Sequence, residues 1–379
     1  MDLKDSVFSW FIQYFLNPQI EKIDSPGFVI TSFSEGGKEV YLRDMFLEEQ
    51  LFAMIETRII NEYGDKGKQA LYSAGKKFGY LYASLSRFMR LENNEKKFLD
   101  FGYFLVRYIA TIYAKTAGYE VDLKRKRLEL DFENYVVCNK NGQGYIMTAG
   151  GISGIWSYMI KDTAVEGVQV KCQGRGDEKC ILIAEPAAAL IEEGLKPFIE
   201  TDLAEGSFNE DYKRRNLARK TENARNSIKD LLNAKLFSYS KGVLRYHDIR
   251  YFHCESNVLY ILENEIKKLP NGEEKLFEAC SEYGKFLQQQ YNQKDYKKFI
   301  NDYFPALGWG DVIVREEAGK ISVTSLYYPW TTYSEKSDYT VFRGIMSGFI
   351  SSCKEKEIQF AKADSKITDY LTVSAYANT

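Results

Sequence analysis

Cys172 and Cys180 flank the stretch Gln-Gly-Arg-Gly-Asp-Glu-Lys within VEGVQVKCQGRGDEKCILIAEP (165–186). Two thiols at the tip of a β-ribbon have three fates. As thiolates they can ligate a tetrahedral zinc ion, which then needs two more ligands. They can close a disulfide, or they can stay reduced as small core residues. The turn needs its glycines in every case, because Gly174 and Gly176 stand where the ribbon reverses and positive φ carries no steric penalty for glycine. The other cysteines are Cys138, Cys254, Cys280 and Cys353, and six in 379 residues are too sparse for a secreted disulfide framework. Reduced thiols in a cytoplasmic protein are the expectation.

Other chemistry is scarce. The only histidines, His247 and His253, lie in the second half, so a His-dependent acid, base or nucleophile is excluded from the first. With Cys254 they match no recognised metal spacing, and solvated strand-edge histidines are expected. No phosphate loop is present, and GGISG (150–154) lies inside a helical pattern, where it predicts close packing instead of a nucleotide cradle. Glu48, Glu56, Glu255 and Glu263 fall on amphipathic helices in capping or packing roles, so a non-enzymatic protein is expected. Lys+Arg 51 against Asp+Glu 53 gives a net charge of −2 and no field to attract a polyanion, so direct nucleic-acid binding is not expected. No apolar run is long enough to span a bilayer, and the first residues do not read as a cleavable signal. Aromatic residues make up 15% of the chain, enough to fill cores and also to wall a pocket for a flat or greasy ligand. Phe101, Phe104, Tyr108, Trp156 and Tyr158 mark the place to look for one, between a third helix, a small-residue helix and a sheet.

The elements that must position these residues occur twice. Residues 48–83, EEQLFAMIETRIINEYGDKGKQALYSAGKKFGYLYA, are answered by 255–290, ESNVLYILENEIKKLPNGEEKLFEACSEYGKFLQQQ, with Ala74 matching Ala279, Phe78 matching Tyr283 and Gly79 matching Gly284. Leu47, Leu51, Met54, Ile55 and Ile59 predict one helix face, and Leu71, Ala74, Phe78, Leu81 and Tyr82 a second, on which Gly75 and Gly79 admit a close neighbour. A third helix is predicted from about Lys97 to Ala117, ended by a left-handed glycine in AGYEVDL as in LGWGDVIV of the second half. Short strands and a small-residue helix follow, AGGISGIWSYMI (149–160) or FRGIMSGFISSC (342–353), and each half closes on a two-stranded ribbon. Each half is preceded by a hairpin, one about Gly36-Gly37 and one about Gly242. The expected fold is therefore α+β, with two tandem similar domains, 1–195 and 236–379, each an antiparallel sheet packed against a helical layer. They are joined by a charged helical connector, 196–235. Its Leu217, Ala224, Ile228 and Leu231 are too short a heptad run for a coiled coil, and its basic cluster from Lys213 to Lys220 is diluted by acids.

The run from Ala149 to Pro186, a Gly/Ser helix, a strand, Cys, a Gly-Asp turn, Cys and a strand, resembles the 4-vinyl reductase domain family. That family's fold is shared with phenol-sensing input domains of transcription activators, with TRAPP tethering subunits and with haem nitric-oxide sensors. The second half resembles it with the signature lost, having Ala361 or Lys362 and Tyr370 nearest the cysteine positions. The resemblance implies zinc at the hairpin. In the phenol sensors a Glu and a further Cys complete the metal site; here those positions hold Gln169 and a residue near Tyr145, which leaves Cys138 and Glu166 to complete a shifted site with Cys172 and Cys180. It further implies a sensory or regulatory protein whose first domain binds a hydrophobic or aromatic ligand and signals to a partner protein, as a homodimer or an internal pseudo-dimer. The alternative is an interaction scaffold of the tethering-subunit kind. A reductase acting on a tetrapyrrole vinyl group rests on the family name alone.

Overall fold

The computed structural model describes residues 23–35, 38–92, 94–138, 142–205, 221–240, 243–329, 338–362 and 370–376. The turns expected at Gly36-Gly37 and Gly242, the basic cluster 213–220 and the bend of the second ribbon lie outside them. The first half runs β1 (Ile23–Ser25), β2 (Phe28–Glu35), β3 (Lys38–Glu48), α1 (Glu49–Tyr63), α2 (Asp65–Leu85), α3 (Glu95–Tyr113), β4 (Thr116–Asp122), β5 (Arg127–Glu133), α4 (Ile146–Ile160), β6 (Val165–Lys171), β7 (Cys180–Pro186) and α5 (Ala187–Glu192). The second runs α6 (Ile228–Asn233), β8 (Ser238–Ser240), β9 (Val243–Tyr246), β10 (Ile249–Glu255), α7 (Asn257–Ile266), α8 (Gly272–Tyr291), α9 (Tyr296–Ala306), β11 (Asp311–Glu317), β12 (Lys320–Leu326), α10 (Thr340–Lys354) and β13 (Tyr370–Tyr376). The fold class is α+β, with antiparallel sheets against helices, and the order of elements repeats. Among the described residues of the connector, 196–205 are irregular and Ile228–Asn233 is helical, with Ser227 and Asp230 forming a capping box.

Two compact units emerge. One consists chiefly of Ile59–Phe208; the other gathers Glu21–Arg58 with Asn209–Ser238 and Arg245–Thr379, so one division falls inside α1 and another within the span 196–235 expected to join the halves. The expected boundary placed the first hairpin with the first half. Backbone pairing places it otherwise: β3 is hydrogen-bonded to β10, with Tyr251 opposite Glu48 and Glu255 opposite Asp44, and the order β1-β2-β3-β10 continues one sheet. An edge strand left open by one hairpin is closed by the other.

In the first unit the sheet order is β4-β5-β7-β6, all antiparallel. Alternation in RLELDFE turns Leu128, Leu130 and Phe132 inward. Helix α4 packs on β6 and β7 with one face and on α2 with another, and its sequence is accordingly apolar or small all round. The α2–α4 crossing is backbone against backbone. A Cβ at Gly79 would lie 1.9 Å from Gly151 O, and one at Gly154 would lie 2.1 Å from Lys76 O, so GGISG is a packing device as its helical setting predicts. Helix α3 ends at Tyr113, four residues before the expected Ala117, and Gly118 lies within β4 instead of capping the helix. In the second half the expected cap is present, with Gly308 at φ 93 just beyond α9.

The second unit crosses α8 over α10 and carries the sheet β11-β12-β13. Polar groups are buried in its interior. The Tyr251 hydroxyl meets those of Tyr291 (2.7 Å) and Tyr303 (2.8 Å), and Glu48 accepts from Tyr251 and Tyr283. Beside β10, His253 Nε2 lies 2.9 Å from Asp44 Oδ2 and 3.0 Å from the Thr31 hydroxyl, so this histidine is buried and engaged, not strand-edge and solvated. Glu255 is fully buried; desolvation, then the Asp44 charge, push its pKa up from 4.5 to about 8, against hydrogen bonds from Asn257 N and Ser256. Between those two values the folded chain keeps a proton that the unfolded chain has released, so stability falls as pH rises. Glu255→Gln removes that loss. Urea titrations of the variant and the parent are expected to agree near pH 4.5 and to diverge by about 3 kcal/mol in the variant's favour at pH 7. A constant difference across that range contradicts a protonated Glu255.

Candidate functional site

Three segments converge at the tip of the β6–β7 ribbon. Cys172 opens the turn, Cys180 begins β7, and Cys138 arrives on the loop after β5. Their sulfurs lie within 4.8 Å of one another, with Cys180 4.0 Å from Cys172, and all three residues are buried. A disulfide needs about 2.05 Å, so these are free thiols. The turn itself is a single 3₁₀ turn, Gln173–Arg175, ended by Gly176 at φ 100. Gly174 does not have positive φ. It is needed because a Cβ there would stand 1.8 Å from Cys138 O, so glycine is what lets the Cys138 loop reach the ribbon. Val137, just before Cys138, is held at φ 76, a conformation that a β-branched residue adopts only under constraint.

The backbone of the turn is directed at the sulfurs and their neighbours. Gln173 N donates to Cys180 Sγ (3.4 Å), and Asp177 accepts from Cys172 N (2.7 Å). Hydrogen bonds from Cys138 and then Cys180 pull the Cys172 thiol down to about 3, with Gly174 N–H and Arg175 assisting. The same bonds to Cys172 and Cys180, followed by burial, push Cys138 up; Cys180, lowered by Cys138 but raised by Cys172 and by burial, settles at about 11. Three sulfurs brought this close form a soft donor set. Gln169 completes the surroundings: its Nε2 is 3.8 Å from Cys138 Sγ, and its buried Oε1 has no hydrogen-bond partner among the described residues. A zinc ion at about 2.3 Å from each sulfur of a tetrahedron sets sulfurs about 3.8 Å apart, close to the 4.0 Å found. The donors fit zinc.

Glu166, expected at the same site, is elsewhere. Its Oε1 accepts from Lys76 Nζ (2.7 Å) and from Glu200 N (3.0 Å), and its Oε2 from the Tyr72 hydroxyl (2.6 Å), which also meets Ser153 (2.9 Å) and Gly167 N (2.7 Å). Lys76 further donates to Thr163 O and Glu200 O. This buried network clamps 198–202 onto α2. Among the described residues, His247 and Cys254 join no metal cluster; His247 stacks edge-on against Tyr246.

An apolar cavity of about 40 Å³ lies between α3, the β4–β5 pair and α4. Of the five aromatics expected around a pocket there, only Trp156 lines it, with its Nε1 donating to Lys126 O (2.8 Å). Phe101, Phe104 and Tyr108 form a ladder along another side of α3, with centroids 6.5 and 6.4 Å apart, and Tyr158 packs against Arg90 and Tyr80. The residues that the aromatic search missed are Phe98, Gly102 and Val106 of α3 with Tyr119, Leu130 and Ile152 opposite. Their i, i+4 spacing on α3 carries the signal. Gly102 is the informative one, because a Cβ there would meet nothing within 4 Å.

The sequence matches no protein-family model and no curated protein. Among solved structures, the phenol-responsive sensory domain of the transcription activator PoxR, crystallised with phenol, aligns over 43% of this chain and 87% of that one at 15% identity and a TM-score of 0.32. That superposition is too loose to transfer a residue or a ligand. Among the described residues no helix is long and apolar enough to cross a membrane.

Proposed function

We propose that this chain is a non-catalytic sensory or regulatory protein of 4-vinyl reductase-like architecture. Its first half admits a small hydrophobic or aromatic molecule beside α3, and a zinc ion held by Cys138, Cys172 and Cys180 ties the ribbon to the loop that leads into α4. Gln169 Oε1 or a water supplies the fourth donor. Zinc in this role is structural, fixing the wall of the cavity without taking part in a reaction. The observation that carries the reading is the apolar cavity with a glycine in mid-helix facing open space. Glycine there costs helix stability of about 1 kcal/mol, a cost that a sequence under selection for stability alone discards. The space of about 40 Å³ is smaller than an aromatic ring, so entry moves α3 outward, and that displacement is the signal passed to a partner protein.

Phenol at a hundredfold excess over its dissociation constant is expected to stabilise the protein by about 2.7 kcal/mol, a rise of several degrees in melting temperature, and to change Trp156 fluorescence. Gly102→Leu fills the cavity. It raises the melting temperature of the free protein and abolishes the response to phenol. The same small volume also favours the second reading, a scaffold whose aromatic interior is only core. A panel of phenolic and aliphatic probes that leaves both parent and Gly102→Leu unmoved would select it.

A further inference from the structure

The two halves treat the same helix crossing differently. In the first unit, Gly150 and Gly154 of α4 approach Tyr72 O and Lys76 O of α2; in the second, Gly344 and Gly348 of α10 approach Phe277 O and Ser281 O of α8. Phe277 therefore stands where Tyr72 does, and Ser281 where Lys76 does. Over the first crossing runs an extended strap, 195–205. Its Phe198 ring packs on Tyr72 at 5.6 Å, Ile199 O accepts from Gln69, Lys76 holds Glu200 O, Lys77 pairs with Glu200 and Asp202, and Arg90 pairs with Glu205. An acidic peptide thus lies on a basic helix face.

Over the second crossing there is an open groove of about 810 Å³. Phe277, Ser281, Ser347 and Ser351 line it, and serine in place of the buried lysine leaves the floor low. Its charge is reversed. Glu274, Glu278, Glu282, Glu355 and Glu357 stand around it against Lys285 and Lys356. Arg58 pairs with Glu278 and lies 3.8 Å from Glu282, whereas Glu274, Glu355 and Glu357 form no ion pair among the described residues. From Glu274 to Lys285 the groove follows α8 for ~16 Å, the length of about five extended residues.

We infer that this groove is a docking site for an extended basic segment of a partner protein, seated as the strap is seated on the first half, with an apolar side chain on Phe277 and its cations toward Glu274 and Glu357. The strap of a second copy is disfavoured by its own charge, since Glu200, Asp202 and Glu205 would meet carboxylates.

The probe is a synthetic peptide of residues 195–205 carrying Glu200→Lys, Asp202→Lys and Glu205→Lys, titrated by fluorescence anisotropy into the full chain beside the unaltered peptide. The charge-reversed peptide is expected to bind roughly tenfold tighter than the acidic one and to weaken as salt is raised. Glu274→Lys with Glu357→Lys, both at exposed positions, is expected to lower its affinity by roughly tenfold, and Ser351→Arg to block it. Equal affinity for the two peptides, indifference to the groove substitutions, or no binding at about 1 mM peptide overturns the proposal. A dimer in solution that Ser351→Arg dissociates also overturns it, assigning the groove to a second copy.

Discussion

Cys172→Ser is expected to take zinc from about one equivalent per chain to near zero after dialysis against a weak chelator. The substitution removes the thiol whose pKa its sulfur neighbours pull down, and serine offers a protonated, harder oxygen. Loss of a group behind a metal ligand costs 10–100-fold in affinity, so loss of the ligand itself should cost more than about a hundredfold. Gln169 provides the second arm. Its unsatisfied Oε1 is a weak neutral donor, so Gln169→Glu should tighten the site and Gln169→Leu loosen it, leaving the three sulfurs in place. Cobalt substitution reads all four proteins, since thiolate-to-cobalt absorption scales with the number of bound sulfurs. A parent protein that takes up neither zinc nor cobalt under reducing conditions would leave the cluster as three reduced core thiols.

What the sequence disclosed follows from how local each signal is. The spacing of Gly75 and Gly79, repeated by GGISG, announced a close helix crossing, because a missing Cβ every turn has few other uses. The order of elements in both halves was legible for the same reason. The pairing of β3 with β10 was not, since strand edges from residues two hundred apart carry no mark of their partner. At the thiol site the ribbon was readable from Cys172, Gly176 and Cys180, and the Cys138 sulfur lies within 4.8 Å of the other two. Glu166 shares the parity of Cys172, but the register shift between Gln169 and Lys171 reverses it, so Gln169 faces the cluster and Glu166, three residues away, faces α2. Around the cavity, aromatic type was a poorer guide than helical phase, and so Phe98 and Gly102 were overlooked in favour of Phe101 and Phe104.

Lys76→Met is expected to destabilise the first unit by about 3–5 kcal/mol, the cost of stranding a buried charge. Lys76 and Glu166 have side chains 0% and 1% exposed, and burial acts on both, lowering the lysine pKa and raising that of the glutamate against the hydrogen bonds between them. With the ammonium gone, Glu166 keeps hydrogen bonds from Tyr72 and Glu200 N but no counter-charge, and it holds its proton in the folded state above the pH at which the unfolded chain releases it. The deficit of Lys76→Met should therefore be smallest near pH 5 and grow toward pH 8. Adding Glu166→Gln removes the charge and retains an acceptor for Glu200 N; the double variant should recover most of the loss and lose the pH dependence. Because Lys76 also donates to Glu200 O, both variants should expose the strap 195–205 to proteolysis sooner than the parent, even where global stability is restored. Denaturant titrations at pH 5 and pH 8 measure the first effect, and limited proteolysis the second. A Lys76→Met protein within about 1 kcal/mol of the parent at pH 8 would mean that water reaches Glu166 and the pair is not sealed.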